Sequence, residues 1–277
     1  MLTIAALTFR EVVRRRILLV TIVLAVIFLS LYGIGVHYGY KDITDSNNNG
    51  LMNTLIAPMF LSLGLYFGSF IIAFLAIMAA VGSVSSEIEN GIIYAVVPSP
   101  VRRVDIILGK FIGYSLMLSV FASLFHAAVL LIVHYNTGLN APVKAGAIAL
   151  FCLQPVVLLA VTMFGTTFLS TLANGIACFM LYAVGVVGGM LEQIGTLLQS
   201  QMLVNIGIVS SLMMPADSIY RKIVFTLLSA PGTSMSHLML GPFGSYSEPS
   251  VWMLLYTGFY IVFFLAMATS IFSRKDI

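Results

Sequence analysis

The residues able to do chemistry in this chain are few, and their spacing suits contact better than catalysis. The densest group runs Ser86-Glu87-Ile88-Glu89-Asn90-Gly91-Ile92-Ile93-Tyr94-Ala95-Val96-Val97-Pro98-Ser99-Pro100-Val101-Arg102-Arg103, closed by Leu108-Gly109-Lys110. Glu87 and Glu89 open it, the apolar run Ile92 to Val97 follows, Pro98 and Pro100 end it, and Arg102, Arg103 and Lys110 lead out. An apolar run between charges would be wasted in a solvated loop, and exposed apolar patches mark contact surfaces, so a short helix that meets a partner is predicted here. Gly109-Lys110 lacks the upstream glycine and the following hydroxyl of a phosphate-binding loop, so the chain is not expected to hydrolyse ATP. G-x-S-x-G and H-E-x-x-H are missing too, and His37, His126, His134 and His237 have no paired spacing. His126, Gln154 and Glu192 stand in or beside long apolar runs, which makes them pathway candidates, with hydrogen bonding between spans as the competing reading. Met235-x-His237-x-Met239, with Met202, Met213 and Met214 nearby, can offer soft ligands to Cu(I). With 15 Met in the chain, gap filling is the favoured reading of that stretch. Cys152 and Cys178 read as small buried hydrophobes.

Composition decides what must position these groups. Among 277 residues there are 13 Lys and Arg and 10 Asp and Glu, or 8% charged, against roughly 25% in a soluble domain. Hydrophobic residues make up 60% and the mean hydropathy is +1.06, which leaves too little polar surface to cover a water-facing globule. The solvent is lipid, and a span takes about 20 apolar residues, so six fit in one membrane domain over 1–277. A charge at the bilayer centre costs about 2.5 to 3.5 kcal/mol, so spans should lie between charges. Reading the uncharged intervals places them at 17–36, 55–84, 111–133, 145–169, 175–197 and 250–272. The first is expected to stay as an anchor, since its apolar run exceeds a signal peptide's and no small-residue cleavage site follows. The polar stretch 37–53 is expected to be a loop in water, and Ser170, Thr171, Ala173, Asn174 and Gly175 to form the turn between spans four and five. Gly64-x-x-x-Gly68 and Gly185-x-x-x-Gly189 permit close helix approach, within one chain or across a dimer.

Leu2, Ala5, Phe9 and Val12 fall at helical spacing in a basic segment, as in an interfacial helix over 1–16. Residues 199–247 hold two weakly apolar pieces separated by Pro215, Asp217, Arg221 and Lys222, each short for a crossing, so a re-entrant pair before span six is expected. On one side lie Arg10, Arg14, Arg15, Arg16, Arg102, Arg103, Lys110, Arg274 and Lys275; on the other, Lys41, Lys144, Arg221 and Lys222. The positive-inside rule puts the first side, both termini and the 86–100 helix in the cytoplasm of a plasma or inner membrane. The net charge of +3 is too scattered to suggest nucleic acid.

The stretch after span two resembles the hallmark of the ABC-2 family of ATP-binding-cassette permeases: an acidic residue and Gly, a Ser-Pro-x-x-Arg step, then Leu-Gly-Lys entering span three. Glu87, Glu89, Gly91, Ser99, Pro100, Arg103, Leu108, Gly109 and Lys110 match it. The N-terminal helix, six spans, re-entrant pair and short basic C-terminus match in position, so the resemblance covers the whole chain. Pro215-Ala216-Asp217-Ser218-Ile219-Tyr220-Arg221 resembles a segment of the permeases that serve nitrous-oxide reductase maturation. The resemblance implies that 88–97 is a coupling helix, with Glu87, Glu89, Gly91, Ile92, Ile93, Tyr94, Pro98, Pro100, Arg102, Arg103 and Lys110 at the contact with a separate ATPase subunit. It implies that ATP and Mg sit on that ATPase, with no cofactor on this chain, and that the permease pairs with a second copy or a second permease. Export is the implied activity; driving an extracytoplasmic partner is the alternative, and an intramembrane enzyme the remote one.

Overall fold

Long apolar runs leave the backbone in lipid no partner but itself, and a helix satisfies every N–H and C=O within one segment. The computed structural model, which describes residues 2–14, 16–46, 50–85, 103–139, 144–228 and 249–274, is accordingly all-α, with nine helices and no strand among the described residues. They are α1 Leu2–Arg14, α2 Arg16–Ser46, α3 Gly50–Ala80, α4 Arg103–Thr137, α5 Ala145–Gly165, α6 Thr171–Leu197, α7 Gln201–Met213, α8 Ala216–Leu228 and α9 Val251–Arg274. Six of them, α2 to α6 and α9, are long and apolar enough to cross a membrane, while α7 and α8 form a pair bent by 107° at Met214-Pro215. The helix expected over 86–100, from Glu87, Glu89, Gly91, Ile92, Ile93 and Tyr94 to Pro98 and Pro100, falls outside the described residues together with Arg102, Met235, His237 and Met239.

α5 is the axle of the bundle and touches α3, α4, α6, α8 and α9. Its Val157, Leu158, Leu159 and Ala160 are buried on all sides, whereas α2 and α9 turn Leu19, Val20, Leu31, Trp252, Leu255 and Phe259 outward. α1 lies on α4 by Ala5, Thr8 and Val12 at what we term the near end. It can approach so closely because Gly113 of α4 has no side chain; a Cβ there would sit 2.7 Å from the Ala5 carbonyl oxygen. The α7–α8 pair caps the far end.

Three sequence expectations change. The stretch 37–53 is largely helix: α2 runs to Ser46 and α3 starts at Gly50. At 31 residues each, these helices reach about 46 Å, well past an apolar core of about 30 Å. Each residue added to an existing helix brings a backbone hydrogen bond without a new nucleus, and His37 is held further by Asn136 at 2.9 Å. The turn between α5 and α6 falls at Thr166–Ser170, so Asn174 and Gly175 lie inside α6. Finally, α8 starts directly after Pro215, whose carbonyl accepts from Ile219 N–H at 3.2 Å, so Asp217, Arg221 and Lys222 ride on a helix and not in a connecting loop. Proline fits such a first turn because the N–H it lacks would have no partner there.

Candidate functional site

The α6–α7 hairpin turns through Gln199 in the left-handed region, with φ 53, and lays α7 back along α6. Glycines on α6 make room. A Cβ at Gly188 would sit 1.5 Å from Ser210 Oγ and 2.2 Å from its Cβ, and one at Gly189 would sit 1.7 Å from Asp217 Oδ2. Gly185 faces Met214 in the same way, and Gly207 of α7 faces Glu192 of α6. The glycine pairs noted in the sequence thus act within this chain: Gly185 and Gly189 seat the bent pair, while Gly64 admits Tyr32 and Gly68 admits Phe125.

This close approach brings three charges together in the interior. Arg221 Nη1 lies 2.7 Å from Glu192 Oε1, and Nη2 donates to Glu192 Oε2 at 2.8 Å, a bidentate pairing that suits the planar guanidinium. Nη2 also reaches Ser211 Oγ at 3.2 Å and Ser218 Oγ at 3.3 Å. Nε stands 3.1 Å from Asp217 Oδ2, one helical turn away, as an ion pair without hydrogen-bond alignment. The Arg221 side chain is 4% exposed, Asp217 6% and Glu192 14%. Two carboxylates against one guanidinium leave the group one positive charge short of neutrality. The cluster joins α6, α7 and α8, and ion pairing in so dry a site is strong and geometrically exacting. α7 ends at the bend with unpaired carbonyls, and α9 supplies their donors: Tyr256 Oη bonds the Leu212 oxygen at 2.6 Å and Tyr260 Oη the Met213 oxygen at 2.7 Å. Lys144 Nζ donates to the Thr226 carbonyl near the end of α8.

Beside the cluster runs an apolar groove of about 580 Å³ between α2, α3 and α6, lined among others by Leu24, Tyr66, Phe70, Phe179, Tyr182 and Met190. The Tyr66 ring is 5.3 Å from that of Tyr220, the residue before Arg221, and Tyr220 Oη donates to the Ser62 carbonyl at 2.9 Å. The groove and the ion cluster therefore share a wall.

The residues singled out from the sequence do not converge. Glu192 belongs to the cluster. Gln154 sits between α5 and α3, its Oε1 3.0 Å from Ser69 Oγ. His126 lies in the α4–α5 contact with its ring 5.1 Å from that of Phe151, and neither ring nitrogen has a hydrogen-bond partner among the described residues. Neither His126 nor Gln154 lines the α2–α3–α6 groove. Lys110 is buried and donates from Nζ to the Ser83 carbonyl, and Arg103 opens α4. Among the described residues no group of three or more His, Cys, Asp or Glu could hold a metal ion. Asp217 and Arg221 look like loop residues beside Pro215, so the sequence does not single them out for a site; their spacing of four, with a third charge at Glu192, is the signal it does carry.

A family model described as ABC-2 family transporter protein matches residues 2–277. No curated protein matches the chain.

Proposed function

The chain belongs to the ABC-2 family of transporter proteins, and from that premise we propose that it is the permease half of an exporter whose ATP is hydrolysed on a separate subunit. In this reading two permeases pair across the membrane, two ATPases dock on the near end, and residues 86–100 with Arg102 and Arg103 form the docking element. The observation that carries it is the match to the family over essentially the whole chain, with six helices fit to cross a membrane. The geometry supports it: the described residues on either side of 86–102 come together at the end where α1 lies on α4, with Lys110 Nζ donating to the Ser83 carbonyl. The stretches assigned to that end carry nine of the 13 Lys and Arg, and this bias supports a cytoplasmic position for it in the proposed reading.

Docking is tested by Ile92→Asp with Ile93→Asp. A carboxylate forced into an apolar groove is costly, so this variant should fold and lose the ATPase on co-purification, while Arg103→Ala should retain most of it, since a rim charge is worth less than a buried anchor. Full co-purification and undiminished ATP turnover of the double variant would remove the reading. A second reading, in which the far-end pair drives an extracytoplasmic partner in place of passing cargo, draws on the ionic attachment of α8 to α6. It predicts ATP-dependent movement of the pair with no solute exported.

A further inference from the structure

Where the end of α3 meets the α5–α6 turn lies a buried polar hub that the export reading does not use. The turn Val81–Ser85 ends α3 and leads directly into residues 86–102. Ser85 N–H donates to Thr166 Oγ1 at 3.0 Å and Val84 N–H to the same oxygen at 3.4 Å. The Thr166 hydroxyl donates in turn to Ser85 Oγ at 3.2 Å, which also lies 2.9 Å from Thr171 Oγ1. Asn174 Nδ2 bridges the carbonyls of Val81 at 3.3 Å and Thr162 at 3.0 Å, and its Oδ1 accepts from Cys178 Sγ at 3.3 Å. Gly165 makes the room, since a Cβ there would sit 2.0 Å from Asn174 Oδ1. Thr166 and Asn174 are no more than 1% exposed.

Apolar side chains would hold these elements together equally well but would let them slide. A set of buried directional bonds does not, because any shift of the turn against α6 strands donors and acceptors away from water. α6 then runs unbroken from Thr171 to Leu197, and at its other end the glycine seat and Glu192 fix it to α7 and α8. One rigid helix therefore carries a polar weld at each end, the first to the root of the docking segment and the second to the far-end pair. The direct route from α3 to α8 is thinner, with Tyr220 donating to the Ser62 carbonyl and meeting the Tyr66 ring edge to face.

We propose that Thr166 and Asn174 are positioning residues that hand movement of the Val81–Ser85 turn to α6, and through α6 to the α7–α8 pair. The proposal rests on the reading of 86–102 as the ATPase-docking segment.

The test uses the permease–ATPase complex in lipid nanodiscs and reads deuterium uptake over 201–228 with and without ATP and vanadate. Wild-type complex should show a nucleotide-dependent change there. Thr166→Val with Asn174→Leu should keep the ATPase bound and ATP turnover within about twofold, while the change over 201–228 shrinks by about threefold or more, the range over which residues on a coupling route act. Thr166→Ser, which keeps the hydroxyl, should respond as wild type. If the double variant does not assemble, Thr166→Val alone carries the same expectation. A full nucleotide response in the valine variant overturns the proposal, and so does a wild-type complex that binds ATPase without any change over 201–228. Failure of the wild-type chain to bind an ATPase instead overturns the docking reading beneath it.

Discussion

Arg221→Met removes the cation from the ion cluster while keeping a long apolar stem in the same space. Glu192 and Asp217 are then left facing each other without a cation, at side-chain exposures of 14% and 6%. Removing one partner from a buried ion pair costs about 3 to 5 kcal/mol. Glu192 can take up water through its exposed edge, so most of the penalty falls on Asp217, and about 4 kcal/mol is expected for the whole change. The assay is amide exchange of residues 216–228 in lipid nanodiscs, which reads the free energy of local opening. The opening constant of α8 should rise by roughly a thousandfold, while amides of α5 around Leu158 stay protected. Combining Glu192→Gln and Asp217→Asn with Arg221→Met should restore most of the protection, because a buried cluster replaced as a whole by neutral groups is often tolerated. If Arg221→Met exchanges like the wild type, within a factor of about three, the glycine seat alone holds the pair and the reasoning is refuted.

Gly188→Ala should loosen α7 from α6 by about 1 to 3 kcal/mol, because the new methyl meets the Ser210 Cβ, which no side-chain rotation can move. Gly258→Ala, whose Cβ meets nothing within 4 Å, should be neutral or slightly stabilising; thermal unfolding in detergent compares the two, and equal effects would discredit the seat. For orientation, single cysteines at Asn48 and Ser245 should react with a membrane-impermeant thiol reagent applied outside intact cells, and one at Ser99 should not. Labelling at Ser99 would reverse the cytoplasmic assignment of the near end.

Membrane insertion is a local property, and it was legible from local windows. A charge is costly in lipid wherever the chain later folds, so the uncharged intervals located six crossing helices before any contact was known. The 199–247 region reads as a pair for the same reason, since both pieces are short and polar at intervals. Helix ends were less legible. His37 to Ser46 and Asn174-Gly175 look like loop and turn by composition, yet neighbours supply what those residues ask for: Asn136 for His37, and the Val81 and Thr162 carbonyls for Asn174. What only the tertiary structure decided is the company each polar group keeps. Glu192 was visible as a charge at the end of a span, but nothing within a window of 20 residues says that Arg221 meets it, because the pairing depends on a hairpin at Gln199, a bend at Met214-Pro215 and glycines that let three helices close to contact. Hydrophobicity adds up residue by residue along the chain, whereas an ion pair in a dry interior exists only where the packing of separate elements brings its two halves within about 3 Å and closes out the water.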